Sequence, residues 1–187
     1  MSTTAPSPAS TTTWNVDPVH SVAEFRVKHM MISNVRGRFT GVAGKLTFNP
    51  GDVTQSRVEA SIDVATLDTH DPQRDTHLKS PEFFDAGKFP ALTFHSSKVT
   101  RKADGRISVS GPLSIHGVTR DVEFEVEGPT PPVKDPWGNT RVGVTATTTI
   151  DRREFGLTFN ATLETGGVMV GEDVHISLEL EFVQAAA

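Results

Sequence analysis

Apolar and polar residues alternate along most of this chain. The alternation is clearest in residues 57–67, where Val58, Ala60, Ile62 and Val64 share one face and Glu59, Ser61 and Asp63 the other. A period of two is the signature of a half-buried β-strand. The same pattern sets Val122, Phe124 and Val126 against Asp121, Glu123, Glu125 and Glu127, and Ile176, Leu178, Leu180 and Phe182 against Ser177, Glu179 and Glu181. Residues 21–29, 38–48, 91–100, 106–116 and 141–150 read as further strands, with a weaker pattern over 155–165.

Turn chemistry separates nearly all of these runs. Asn49-Pro50-Gly51-Asp52, Ala103-Asp104-Gly105, His116-Gly117 and Gly166-Gly167 supply the positive-φ residues and short polar side chains that sharp reversals need. Such short connections predict antiparallel neighbours. One stretch departs from the pattern. Asp71 stands at an N-cap, Pro72 at the first helical position and Asp75 four residues before Lys79, which predicts a short helix; Ser80-Pro81 then repeats the cap, ahead of Phe83 and Phe84. About eight amphipathic strands on meander connections, each with one wet face, predict an all-β fold that is either a closed barrel or a two-sheet sandwich. The small, polar, Pro-containing residues 1–13 read as a disordered tail, which leaves 14–187 as one β domain.

Charge and composition narrow the function. The net charge is −5 and Lys/Arg residues are interleaved with acids, so nucleic acid is not an expected partner. Cysteine is absent, which excludes disulfides, thiolate metal sites and cysteine nucleophiles. The opening residues lack the basic and apolar regions of a secretory signal, and the expected address is the cytoplasm. The seven histidines, His20, His29, His70, His77, His95, His116 and His175, show no metal-chelating spacing, so no metal is expected. Neither a nucleophile elbow nor a phosphate-cradling glycine loop is found, and no cofactor is expected. Asp71, Asp75, Glu82 and Asp85 read as helix caps or solvated charges rather than a catalytic carboxylate pair.

Several segments together resemble the YceI-like family of lipid-binding proteins over roughly Trp14 to Val183. They are Asp17-Pro18-Val19-His20-Ser21 with Phe25 and His29, Gly37-Arg38-Phe39, Arg74-Asp75-Thr76-His77-Leu78 running into Phe83-Phe84-Asp85, and Phe89-Pro90 with Phe94. Gly111-Pro112-Leu113-Ser114-Ile115-His116-Gly117-Val118-Thr119 and Asp151-Arg152-Arg153-Glu154-Phe155-Gly156 follow in the family's order. The resemblance implies an eight-stranded antiparallel, lipocalin-like β-barrel with one short helical insertion, binding a polyisoprenoid, isoprenoid quinone or similar long-chain amphiphile for transport, storage or sequestration. Many members of that family carry a signal peptide, which this sequence does not show.

Within that frame Phe25, Phe39, Phe83, Phe84, Phe89 and Phe94 are the expected lumen wall, although phenylalanines in a small barrel also serve simply as core. Gly37, Gly41 and Gly44 mark bends or room for a close neighbour such as a ligand. Arg38, Arg74 and His77 are the expected head-group residues, with Arg36 and Arg152 as further candidates. Burying about 400 Å² of apolar chain at roughly 25 cal/mol/Å² yields on the order of 10 kcal/mol before association costs of about 4–15 kcal/mol, so affinity should grow with chain length. Two rival functions stand beside this one: an enzyme using His20 or His77 on a small hydrophobic substrate, and a ligand-free β interaction domain. Transient membrane contact and a homodimer are left open.

Overall fold

The computed structural model describes residues 11–164 and 166–186. Thirteen strands and one helix follow in order. They are β1 (Thr12–Val16), β2 (Val22–His29), β3 (Ser33–Phe39), β4 (Val42–Phe48), β5 (Arg57–Asp63), β6 (Leu67–Asp68), α1 (Pro72–Lys79) and β7 (Ala91–His95), then β8 (Lys98–Arg101), β9 (Ile107–Ile115), β10 (Val118–Glu127), β11 (Val133–Lys134), β12 (Thr140–Asp151) and β13 (Val170–Gln184).

Several of these are pieces of longer, bent strands. β1 and β4 pair, as do β2 and β3, so residues 12–29 and 33–48 form one long hairpin broken near its middle. β5 pairs with β4, and β6 with β3, in the same way. β7 and β8 both pair with β9. Counted so, eight antiparallel strands run as a meander, and β13 closes the ring by pairing with β12 on one edge and with β1 and β2 on the other. Closure leaves the main barrel without a free edge, which is how all-β proteins avoid edge-to-edge association. The choice between barrel and sandwich is thereby decided: the fold is the eight-stranded antiparallel barrel.

Local chemistry accounts for the connections. The β9–β10 hairpin turns on His116 and Gly117, with φ of 53° and 74°, the mirror-image turn that matches strand twist. Asn49 Oδ1 accepts from the backbone N–H groups of Gly51 and Asp52, holding the β4–β5 reversal. The Asp71 carboxylate accepts from the N–H groups of Gln73 and Arg74, and Pro72 opens the helix, as the sequence predicts. Gly37 lies opposite Phe25, and a Cβ there would stand 2.3 Å from Phe25 Cζ, so the close neighbour that requires glycine is a phenylalanine ring rather than a ligand.

Two expectations are corrected. The first strand begins at Thr12, so Thr12 and Thr13 belong to the barrel and not to a tail; Met1 to Ser10 lie outside the described residues. The expected strand over 155–165 is not formed by its described residues, 155–164. A short 3-10 turn spans Arg152–Phe155 and an irregular connection follows, because Arg152 takes the carbonyls that a neighbouring strand would otherwise bond.

Candidate functional site

Inward-facing side chains from all eight strands enclose a cavity of about 360 Å³. That is at the small end of the roughly 300–1,000 Å³ typical of ligand pockets. Its size follows from the mix of side chains at one level of the barrel. The register runs Ala146–Leu178–Ala23–Phe39 across β12, β13, β2 and β3, so two alanines stand beside two large residues. Ala60 contributes a third small wall residue from β5. A wall of uniformly large residues would have filled the lumen, as small barrels commonly do.

One end of the barrel is plugged. Trp14, Val142 and Phe182 form one buried cluster and Val53, Val99 and Ile107 another, with Phe48 packed against both. Val53 sits in a 3-10 turn, Val53–Gln55, whose first N–H groups are met by the Asp52 side chain accepting from Thr54. On the outer surface nearby, Arg141 donates to Asp17 Oδ2 at 2.6 Å, Glu181 Oε1 at 2.5 Å and Asp135 Oδ2 at 2.7 Å. Hydrogen bonds from Arg141 and then His20 hold the Asp17 carboxyl well below the usual carboxylate range. Burial pushes Asp135 the other way, but hydrogen bonds from Asn139 and Arg141 outweigh it and its value is also low. Asp17, His20 and Glu181 lie close enough together to suit a metal ion, yet Arg141 already bridges the two carboxylates.

The opposite end is covered by two connections instead of strands. From the β6–β7 connection come Leu78, Phe83 and Phe84; from the β12–β13 connection come Leu157 and Phe159. The rings touch in a chain: Phe25 lies 5.7 Å from Phe39, and Phe39 5.8 Å from Phe84, edge to face. His77, Phe83 and Phe159 form a separate triangle, with centroids 4.9–5.1 Å apart. Such edge-on contacts between rings add modestly to their burial energy.

Among the basic side chains that border the cavity, Arg74, His77 and Arg152 gather at this end, while Arg57 borders the plugged end and donates to the Ser56 carbonyl at 2.7 Å. Arg74 donates through Nε to Thr69 Oγ1 at 2.7 Å and through Nη2 to the Thr69 carbonyl at 2.8 Å, while that hydroxyl donates to Asp75. His77 Nε2 stands 2.5 Å from Glu82 Oε2. Arg152 is only 4% exposed and donates to four carbonyl oxygens, those of Leu157, Phe159, Val170 and Gly171, with no carboxylate among the described residues in hydrogen-bond contact. Burial pushes the guanidinium's pKa downward. Carbonyl dipoles satisfy its donors but leave a net positive charge beside an apolar cavity.

Of the residues singled out from the sequence, Phe25, Phe39, Phe83, Phe84, Phe94, Arg74 and His77 line the cavity, as does Arg152. Phe89 and Arg38 do not. Phe89 packs outside the lumen, edge-on to His116 at 5.0 Å, under the Lys88 ammonium and against Gly117. Arg38 points outward and pairs with Asp68 at 3.0 Å, since Gly37 and Phe39 on either side of it face in. Arg36 is exposed on the same outer face. Among the wall residues not singled out are the alanines, Leu78, Phe159 and the inward face of β13, Ile176, Leu178 and Leu180. The β13 set was legible, because its alternation already marked one face as dry.

Comparison with known proteins agrees with this architecture. The model of the YceI-like domain matches residues 14–182. The UPF0312 protein SA2479 of Staphylococcus aureus is 37% identical over 174 residues, covering 91% of this chain and 97% of that protein. The UPF0312 protein VPA0850 of Vibrio parahaemolyticus is 36% identical over 138 residues, covering 74% of this chain and 72% of that one. Among solved structures, Burkholderia cenocepacia BcnA superposes with a TM-score of 0.75 at 23% identity, over 89% of this chain and 98% of that one. The Campylobacter jejuni YCEI protein gives 0.70 at 28% identity, over 85% and 90%. A Saccharophagus degradans domain described as polyisoprenoid-binding gives 0.64 at 14% identity, over 92% and 98%, a likeness of fold. With its closed eight-strand barrel, its one helical insertion and a match across nearly the whole folded region, this chain belongs to the YceI-like family.

Proposed function

We propose that this protein holds one long-chain amphiphile, of the polyisoprenoid or isoprenoid quinone class, inside the barrel, and that it carries, stores or sequesters that lipid rather than transforming it. The observation that carries the reading is the asymmetry of the cavity: an apolar tunnel plugged at one end, with Arg74, His77 and Arg152 gathered at the other. An acyl or prenyl chain fits the first part and a phosphate or quinone oxygen the second, since guanidinium and imidazole N–H groups favour an acceptor or anion in hydrogen-bond reach. The description of the Saccharophagus domain as polyisoprenoid-binding lends support from a protein of the same fold.

Native mass spectrometry of the purified protein, followed by organic extraction, tests this directly. A stoichiometric long-chain lipid is the expected result; an empty protein that also refuses added prenyl phosphates overturns the reading. Replacing Arg74 and His77 together by Ala should weaken a prenyl phosphate about tenfold or more, and the matching prenyl alcohol much less. That difference corresponds to the roughly 1.5–3 kcal/mol of a charge-assisted hydrogen bond. Equal losses for both ligands would remove these two residues from the head-group site.

A further inference from the structure

The tip of the β2–β3 hairpin is unlike the surface around it. Met30, Met31 and Ile32 are consecutive, large and apolar, and they are 41%, 54% and 80% exposed. Two of them also sit in the left-handed region, Met30 at φ 49° and Met31 at φ 61°. A hairpin turn of this kind favours Asn or Gly, which adopt positive φ cheaply and are soluble. Here the turn accepts strain and displays thioethers instead. Strained backbone that serves no packing need is a pointer to function.

The tip also forms the lip of the lumen. Its flanking residues His29 and Val35 line the cavity, as does Met169, whose carbonyl accepts from Met30 N–H at 2.7 Å. Met31 leans toward Gly167 in the adjoining β12–β13 connection. Behind the tip, the outward face of the hairpin carries Arg26, Lys28 and Arg36, all exposed and none in a salt bridge to any described residue. Nearby Arg38 is neutralised by Asp68, and Glu172 of β13 is held by Arg153. Three unpaired cations behind an apolar tip stand out on a chain whose net charge is −5.

We propose that this hairpin docks on an anionic lipid bilayer. Met30, Met31 and Ile32 enter the boundary between head groups and acyl chains, Arg26, Lys28 and Arg36 meet the head groups, and the mouth of the lumen is thereby set against the membrane. A lipid could then pass between bilayer and barrel without its chain crossing water. The inference rests on the lipid-binding reading above. Charge favours a bilayer over a second copy of the chain, because two such hairpins related by a two-fold axis would bring like cations together. Flexible methionines and a branched aliphatic beside basic residues are the composition of membrane-interface segments.

The test is co-sedimentation of the full chain with vesicles of phosphatidylcholine alone or mixed with phosphatidylserine. It is run beside equilibrium binding of a prenyl phosphate in detergent solution. Wild type should bind the mixed vesicles, and added salt should release it. Met31→Asp with Ile32→Asp should cut vesicle binding about tenfold or more, and Arg26→Gln with Lys28→Gln and Arg36→Gln on the order of a hundredfold. Both variants should bind the prenyl phosphate in detergent as wild type does. Asp tolerates positive φ, and all five positions are exposed, so the variants should melt as wild type does. Wild type that takes up prenyl phosphate but ignores vesicles overturns the docking proposal alone. Vesicle binding undiminished in the Met31/Ile32 variant overturns it as well, and so does a wild-type dimer that this variant converts to a monomer. Wild type that binds neither prenyl phosphate nor vesicles overturns both readings.

Discussion

The two ends of the barrel are built from different material. At the plugged end, strands run up to buried apolar clusters, and the nearby charges face outward, tied by Arg141 across three carboxylates. At the other end the strands stop short, and two long connections fold over the opening, carrying aromatic rings and cations inward. Closing a barrel with strands and tightly packed apolar side chains gives stability and little else. Closing it with connections leaves backbone carbonyls and charges near the lumen, where a ligand can use them and where local opening is cheap.

The comparison breaks if stability and ligand exchange do not separate by end. Phe182→Ala, in the plugged cluster, should cost about 3–5 kcal/mol in denaturant unfolding, because it removes a ring that is only 2% exposed. The half-buried Phe159 at the other end should cost about 1 kcal/mol on truncation to Ala and instead hasten release of bound lipid. Similar stability losses with similar off-rates would mean that the ends are not functionally distinct.

Arg152→Met sharpens the contrast. It keeps the aliphatic bulk but strands four carbonyls that the guanidinium now satisfies. Partial rehydration of the connection should limit the loss to about 2–3 kcal/mol. Amide exchange should quicken in residues 156–170 and remain slow in β12. Protection unchanged along the connection would show that Arg152 does not hold it.

The smallest effect belongs to acid. Asp17 and Asp135 titrate below their ordinary value of 3.8 in the folded protein, so the unfolded chain binds protons first as the pH falls. Their contribution is present in full above that ordinary value and is lost as the pH drops from there through the depressed folded values. Arg141→Ala should flatten this limb of the stability–pH curve. An unchanged slope below pH 4 would place the acid sensitivity elsewhere.

Much of this was legible in the sequence, and the failures have physical causes. Alternation marked the strands because one side of each is dry, and Asp71-Pro72 marked the helix because its cap is local. Parity also bore on Arg38: beside Phe39 in one strand, it cannot share the lumen face. Phe83 and Phe84 both reach the cavity only because they lie in a turn, where parity does not apply. Phe89 was lost to a distant partner, the His116-Gly117 turn, which no local pattern could announce. The irregular course after Phe155 is set by a single guanidinium collecting carbonyls from two segments, and pattern-reading is blind to such long-range bonds.

β13 bears on how the molecule comes into being. This strand pairs with β12, β1 and β2, yet it is the last of the thirteen to leave the ribosome. Until it emerges, the meander is an open ribbon with two bare edges, and no enclosed lumen exists. The nascent chain therefore passes through a stage in which it can be joined by other strands but cannot enclose a ligand, and any capture inside the barrel must await the emergence of β13.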